Sequence, residues 1–484
     1  MNILAIDTGS SSCRAVVVTP EGSIIAEGRG AVPWKFPQPS WVEMDPKELW
    51  AVTRTAVEHA LAKVNPAEIV GVGITSHRES VVMWDRKTGE PVHDVVVWIS
   101  QQTDDIIRRW DEEKLGPVFT ERTGLRNDSF FSAGKVVWLL ENVPGLRARA
   151  EAGEIALGTV DSWVLWNLTG GETHATDHSC ASRTALFNLE QLGWDEELCA
   201  RLNIPMSLFA QALPSDGDFG RVSADIIAHR PPIRAVVADQ QAGMFGQACI
   251  EAGSAKNTFG TAAVLTYNTG DHPLLVPGLT ASVGWTVQGV TAYEAEGVVF
   301  HSGQTLSWLK DNLGISAGNI DEVAASVAST GGVYIVPAFG GMCAPHWNRQ
   351  IRTSISGMSL ETTQAHVIRA GVEAMVYQTV DILRIPASPT VSSLKVDGGG
   401  SQSNWLCQFL ADLGNIEVVR PRELERTALG CAFIAGIALG IWKNHADAAS
   451  TWSVERTFEP RMSATEREEL YAGWQRALNQ VMHS

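Results

Sequence analysis

Two hydrophobic rhythms alternate along the chain. Short apolar runs, among them EIVGVGIT, SVVMWD, DVVVWI, RAVVAD, GVYIVPAF, SLKVDGG and NIEVVRP, are bounded by glycine, acidic or hydroxyl residues, which predicts strands. Between them apolar positions recur at helical spacing. Val367, Gly371, Val372, Met375 and Val376 share one such face, and Leu406, Phe409, Leu410 and Leu413 form another that stops at Gly414. The pattern predicts α/β layering. The first run, NILAIDTGSSSCRAVVV, breaks at an acid, a glycine and three serines and then resumes, which predicts two strands, Ile3 to Ile6 and Ala15 to Val18, across a tight turn. Asp7 falls at an inward-facing position beside that turn, where a carboxylate is costly without a cation or donors.

A second segment echoes the first. KNTFGTAAVLTYNTG, at 256 to 270, again runs from a short strand through a glycine with hydroxyl residues into an apolar strand. Two like domains, each offering a glycine-hydroxyl turn to a shared cleft, account for the echo, and so do two unrelated turns. A length of 484 residues exceeds what one core sustains, so two domains are expected, 1–248 and 249–484, with the junction between Cys249 and Gly253. The net charge of -17 is spread without long acidic runs, which argues against a nucleic-acid surface and means that an anionic ligand needs local help. Seven scattered cysteines without a CxxC pair favour free thiols in a reducing compartment. There is no apolar run long enough for a membrane span and no signal-peptide pattern at the start, so a cytoplasmic location is expected.

Four constellations can carry chemistry. The Gly-Ser-Ser-Ser turn can offer backbone N–H groups and hydroxyls to phosphate, with Asp7 beside it for Mg²⁺. RAVVADQQAGMFGQA delivers Asp239 to the carboxyl end of a strand, where a helix starts and where open α/β sheets bind ligands; a helix N-cap accounts for the same aspartate. Arg78 and Glu79, adjacent between two strands, suit a clamp on polyol hydroxyls as well as an exposed turn pair, and Trp98 can wall the carbon skeleton. KVDGGGSQSNW places three glycines between a strand and a helix, allowing close backbone approach by a nucleotide. In HATDH, His174 and His178 have zinc-like spacing, but Thr173, Thr176 and Ser179 interrupt the face and no third ligand is evident, so no metal is assigned there.

Taken together, these segments resemble the FGGY family of carbohydrate kinases, and within it the glycerol kinases. AIDTGSSSCRAVV is similar to the first phosphate loop, QPSWVEMDPKELW to the stretch that follows it, and FFSAGKVVWLLEN to the first family signature, with Ser132, Lys135, Trp138 and Glu141 in place. GTVDSWVLWNLTGG, ATDHSCASRTALFN, ADQQAGMFGQ, AKNTFGT, VPAFGG with APHW, and KVDGGG continue the resemblance in order, to about Trp442. It implies two ribonuclease-H-like domains of the actin, hexokinase and Hsp70 type around a central cleft, and phosphoryl transfer from ATP, with Mg²⁺, to a terminal hydroxyl of a small polyol. It implies Asp239 as catalytic base and Asp7 as the metal-associated carboxylate. Arg78, Glu79, Trp98, Phe130, Asp239, Gln240 and Val264 fall at acceptor positions. Ser10, Ser11, Ser12, Arg14, Gly260, Thr261, Gly303, Gly399, Gly400 and Asn404 fall at nucleotide positions. It also implies a homodimer or higher homo-oligomer, and no nucleic-acid or membrane partner.

The departures concern the acceptor. Glycerol kinases usually carry a tyrosine at the position of Phe130, an aromatic at that of Val264, and WQDRRT where this chain reads WISQQT. Glycerol is the expected acceptor on the retained Arg78, Glu79 and Trp98, and the lost donor and lost bulk make a larger polyol or a ketose, such as erythritol, threitol, xylulose or ribulose, the alternative. Ser307 in place of a glutamine, with Thr353 and Gly371 off the second signature, affects the nucleotide side. A non-catalytic ATP- or sugar-binding regulator is the alternative from another class, and Asp239 together with both phosphate turns argues against it. The tail from about Ser450 to Ser484 reads as a helix.

Overall fold

The computed structural model describes residues 1–314 and 319–483. The apolar run of strand Asn2–Thr8 is buried on both faces, as suits the centre of a five-stranded sheet. On one side this strand pairs antiparallel with Ser12–Val18, which pairs antiparallel with Ile24–Ala31; on the other it pairs parallel with Ile69–Ser76, followed in parallel by Ile233–Ala238. A seven-stranded sheet repeats this order. Ala255–Phe259 pairs antiparallel with Ala263–Gly270, which pairs with Val290–Val299, and it pairs parallel with Ser393–Asp397, followed by Glu417–Pro421. Thr280–Val287 and Val454–Phe458 add one strand to each edge. The two echoing segments are thus equivalent hairpins at the start of two like α/β units, as expected.

The helices follow the apolar spacing. Gln364–Leu383 and Asn404–Gly414 form where the periodicity predicts them, and the second ends at Asn415 in the left-handed conformation. Pro46–Leu61 starts at Asp45, whose carboxylate accepts from the backbone N–H groups of Lys47 and Glu48. Two sequence expectations are corrected. The tail is not helix throughout: Val454–Phe458 first pairs with Glu417–Pro421, and only then does helix Ala464–Met482 begin. This edge strand buries only Phe458, so it lacks the apolar signature of a strand. Of DVVVWI, only Val95–Val96 pairs as strand, with Glu43–Met44.

The two units meet through two helices, Asp239–Gly246 and Arg426–Ala438. Their crossing depends on glycine, because a Cβ on Gly430 would lie 1.9 Å from the carbonyl oxygen of Ala242, and one on Gly246 would lie 2.1 Å from that of Arg426. The Arg426–Ala438 helix is apolar almost all round, and it covers the face of the first sheet that carries Ile3, Ala5, Val16, Val18, Ala235 and Val237. The parallel strands of each sheet end at one edge. Asp7 and Thr8, then Ser76 to Glu79, and Asp239 therefore gather at the edge of the first sheet, and Gly260 and Gly398 to Gly400 at that of the second.

All seven cysteines are buried free thiols, and no helix among the described residues is long and apolar enough to cross a membrane. Gly430→Ala is expected to destabilise the fold by about 1–3 kcal/mol, measured by denaturant unfolding. It is also expected to lower turnover, because the helix it displaces begins at Asp239.

Candidate active site

A cavity of about 170 Å³ opens between the two sheet edges. Its polar side carries Arg78, Glu79, Asp239 and Gln240, and its apolar side Trp98, Phe130, Val264 and Val298. Asp239 occupies the first turn of its helix and is not an N-cap; its Oδ1 accepts the N–H of Gln240 at 2.6 Å and lies 3.3 Å from Nε of Arg78. Burial raises the pKa of Asp239 and the Arg78 guanidinium opposes that rise, so the carboxylate is more basic than an ordinary one and still open on the cavity side, with 23% of its side chain exposed. Phe130 meets Trp98 edge-on at 5.6 Å and Phe300 at 5.6 Å. Its loop is held from beneath by the buried ammonium of Lys135, which donates to the carbonyls of Ser129, Phe130 and Phe131 at 2.7, 2.7 and 3.0 Å.

Arg78 and Glu79 are not an exposed turn pair. They belong to a buried ionic cluster with Arg183, Glu294 and Glu296. Nη1 of Arg78 donates to Oε2 of Glu296 at 2.6 Å, and Arg183 donates to Oε1 of Glu79 at 2.7 Å and to Oε1 of Glu296 at 2.8 Å. Oε1 of Glu294 accepts from Gln241 at 2.6 Å and Ser282 at 2.8 Å, while its Oε2 has no partner. Burial, with Glu296 alongside, pushes Glu294 up to about 7.

A larger cavity, about 640 Å³, adjoins the first and shares Gly260 and Thr261 with it. Gly303, Ser307, Gly399 and Gly400 line it, together with apolar Leu306, Val372 and Met375. Its volume and its mix of glycine backbone and apolar side chains suit a nucleotide. Gly303 and Gln304 donate their N–H groups to the carbonyls of Gly260 and Thr261, and a Cβ on Gly303 would stand 2.8 Å from the Gly260 oxygen. Facing this turn across the cleft, Ser10 lines the acceptor cavity, with Ser11 and Ser12 exposed beside it.

Two expected nucleotide contacts are engaged elsewhere. Arg14 is paired with Glu27 and Glu425, and Asn404 accepts from Arg420 at 2.9 Å while its backbone N–H donates to Asp321. His174 and His178 are taken up separately, the first by Arg86 and the Leu157 carbonyl, the second by Thr286.

Asp7 accepts no side-chain hydrogen bond, and burial together with the Asp239 charge raises it to about 7. Asp7, which has no side-chain donor, stands beside the first phosphate turn and near Asp239, a setting that fits a divalent cation. Among the described residues no group of three or more His, Cys, Asp or Glu could hold a metal, so a Mg²⁺ at Asp7 would need the rest of its shell from phosphates and water.

Sequence reasoning missed His77, Lys256, Thr258, Arg183, Glu294 and Glu296. His77 lines the acceptor cavity and donates from Nδ1 to the Thr8 carbonyl at 3.0 Å. Lys256 donates to Gln240 and Thr258, each at 2.6 Å. Glu294 and Glu296 did carry a signal: two acids spaced by two place both carboxylates on one face of the apolar strand Val290–Val299.

Two like units that close a nucleotide-sized cavity against a smaller pocket with a basic carboxylate define a two-domain kinase cleft. Residues 2–246 match the FGGY family of carbohydrate kinases, N-terminal domain, and residues 255–439 match the C-terminal domain of the same family. The chain is 43% identical to the glycerol kinase of Dechloromonas aromatica, covering 99% of this chain and 97% of that protein. It is 41% identical to glycerol kinase 2 of Thermotoga maritima, over 99% and 98%. Among solved structures it resembles Plasmodium falciparum glycerol kinase with ADP, with a TM-score of 0.91 and 28% identity over 100% and 98% of the two chains. It shares the fold of the ligand-bound xylulose kinase of Lactobacillus acidophilus, with a TM-score of 0.89 and 18% identity over 100% and 99%. The chain belongs to the FGGY family of carbohydrate kinases, and the reaction is ATP-dependent phosphorylation of a carbohydrate or polyol.

The raised pKa of Asp7 means that the folded protein retains a proton there between the ordinary value of 3.8 and about 7, where the unfolded chain has lost it. Folding stability therefore falls as pH rises through that window. Asp7→Asn is expected to have a higher Tm than the parent at pH 8 in metal-free buffer, as read by calorimetry, and to lose phosphoryl transfer.

Proposed function

We propose that the protein transfers the γ-phosphoryl group of ATP to a terminal hydroxyl of a small polyol, glycerol first. The observation that carries this is the shared turn: Gly260 and Thr261 border both cavities, so a nucleotide in the larger one points its phosphates at the pocket of Asp239. Arg78 and Glu79 grip vicinal hydroxyls, while Trp98, Phe130 and Val264 wall the carbons. Asp239 takes the proton of the attacking hydroxyl as its oxygen bonds to the γ-phosphorus; the bond to the β,γ-bridging oxygen breaks and ADP leaves with that electron pair. Ser10, Ser11 and Ser12 on one side, and Gly260 and Thr261 on the other, hold the phosphates, with Arg14 engaged by Glu27 and Glu425 instead. Gly303, Gly399 and Gly400 serve the rest of the nucleotide. Asp7 would hold Mg²⁺, which would supply positive charge to offset that of the phosphates.

We assign residues 1–248 to the acceptor and first phosphate turn, and 249–484 to the nucleotide. Buried free thiols support a reducing cytoplasm, and we expect a homodimer or larger homo-oligomer.

A larger acceptor is the second reading. Phe130 brings no hydroxyl to the pocket, and Val264 leaves room where an aromatic would fill it. Asp239→Asn is expected to lower kcat by about a hundredfold to ten-thousandfold with KM for ATP little changed, and near-normal turnover would refute the mechanism. In a coupled ADP-release assay over glycerol, erythritol, threitol, xylulose and ribulose, glycerol is expected to have the highest kcat/KM. Val264→Phe is expected to reduce kcat/KM for four- and five-carbon acceptors about tenfold relative to glycerol.

A further inference from the structure

Glu79 has a backbone φ of 64°, in the left-handed region that a glutamate occupies only when its surroundings impose it. Two contacts do so. Ser132 Oγ donates to the Glu79 carbonyl at 3.0 Å, and Arg183 Nε donates to its carboxylate at 2.7 Å. Arg183 is wholly buried, and its other arm reaches Oε1 of Glu296, whose second oxygen receives Arg78. Glu296 therefore lies between two arginines, one for each member of the clamp. It comes from the second sheet, on strand Val290–Val299, whereas Arg78, Glu79 and Arg183 precede the junction between the units.

We propose that Arg183 and Glu296 are positioning residues for the acceptor, and that the Arg78–Glu79 clamp is assembled by docking the second unit's strand beneath it. The proposal rests on reading Arg78 and Glu79 as the acceptor clamp. Stability alone is a poor reason for such a cluster, because packed apolar residues of similar volume usually serve as well as a buried ion pair. Geometry supplies the better reason. Glu296 takes Nη1 of Arg78 at 2.6 Å, while Nε of the same guanidinium lies 3.3 Å from Asp239. Without Glu296, the nearest carboxylate left to Arg78 is that of Asp239, ahead of Glu79 and Glu294 at 3.8 Å each, so the guanidinium would swing toward the base and away from its place in the clamp. Without Arg183, Glu79 loses one of the two contacts that hold its strained conformation, the one that fixes its carboxylate.

The test is steady-state kinetics with glycerol and ATP on Glu296→Gln, Arg183→Lys and Arg78→Ala, alone and combined. Glu296→Gln and Arg183→Lys are each expected to raise KM for glycerol about tenfold or more, with KM for ATP within about twofold of the parent. On the Arg78→Ala background, Glu296→Gln is expected to add less than about twofold, because it acts through Arg78. A fall in Tm with both KM values unchanged, a parallel rise of both, or effects that multiply with Arg78→Ala would each overturn the proposal. Should Glu296→Gln not fold, Glu296→Asp, which keeps the charge but draws the carboxylate back from both arginines, is judged by the same contrast. If Arg78→Ala leaves KM for glycerol unchanged, the clamp itself is misassigned. If Arg78→Ala raises it and Glu296→Gln does not, only the positioning role fails.

Discussion

The pairing of Arg78 and Arg183 with Glu79 and Glu296 is the interaction on which the rest of the site depends. Four charged groups removed from water are tolerated only if each finds an opposite charge in good geometry, and here each of the four has at least one partner at 2.6 to 2.8 Å. That requirement leaves little freedom. The strand Val290–Val299 has to lie against the loop after Ile69–Ser76 and the helix His178–Ser182 that leads to Arg183, so the two units are fixed at the depth of the acceptor pocket. Glu294 is the surplus charge, and its environment resolves the surplus by making protonation easier.

Around that cluster the sheets do the coarse placement. Because the parallel strands of each unit end at one edge, Asp7, Arg78 and Asp239 converge although they are far apart in sequence, and the glycine turns of the second sheet face them. The close glycine crossing of Asp239–Gly246 with Arg426–Ala438 sets the approach of the helix that begins at Asp239. A late segment of the chain thereby completes the core of the first sheet, so neither unit owns its packing alone.

Much of this is legible in the residues. The hairpin at Asp7, the repeat at Lys256, and the strand that delivers Asp239 follow from local pattern, because strand and turn chemistry act over a few residues. Glu294 and Glu296 left a trace in an i, i+2 acidic pair, yet their partners lie on other elements, and no local rule selects them. Arg14 and Asn404 show the reverse: family position points to the nucleotide, while Glu27, Glu425 and Arg420 engage them here.

The sequence by itself therefore determined the α/β alternation, the two glycine turns and the family, since these are written in periodicity and in short contiguous motifs, while the matching strand order of the two sheets decided the internal duplication. Tertiary structure alone decided that Arg78 and Glu79 are buried instead of exposed, that Arg183 and Glu296 hold them, and that the tail begins as an edge strand. The physical reason is that desolvation and ion pairing depend on which groups meet across distant elements, and the strand Val454–Phe458 owes its conformation to the neighbour it pairs with more than to its own residues.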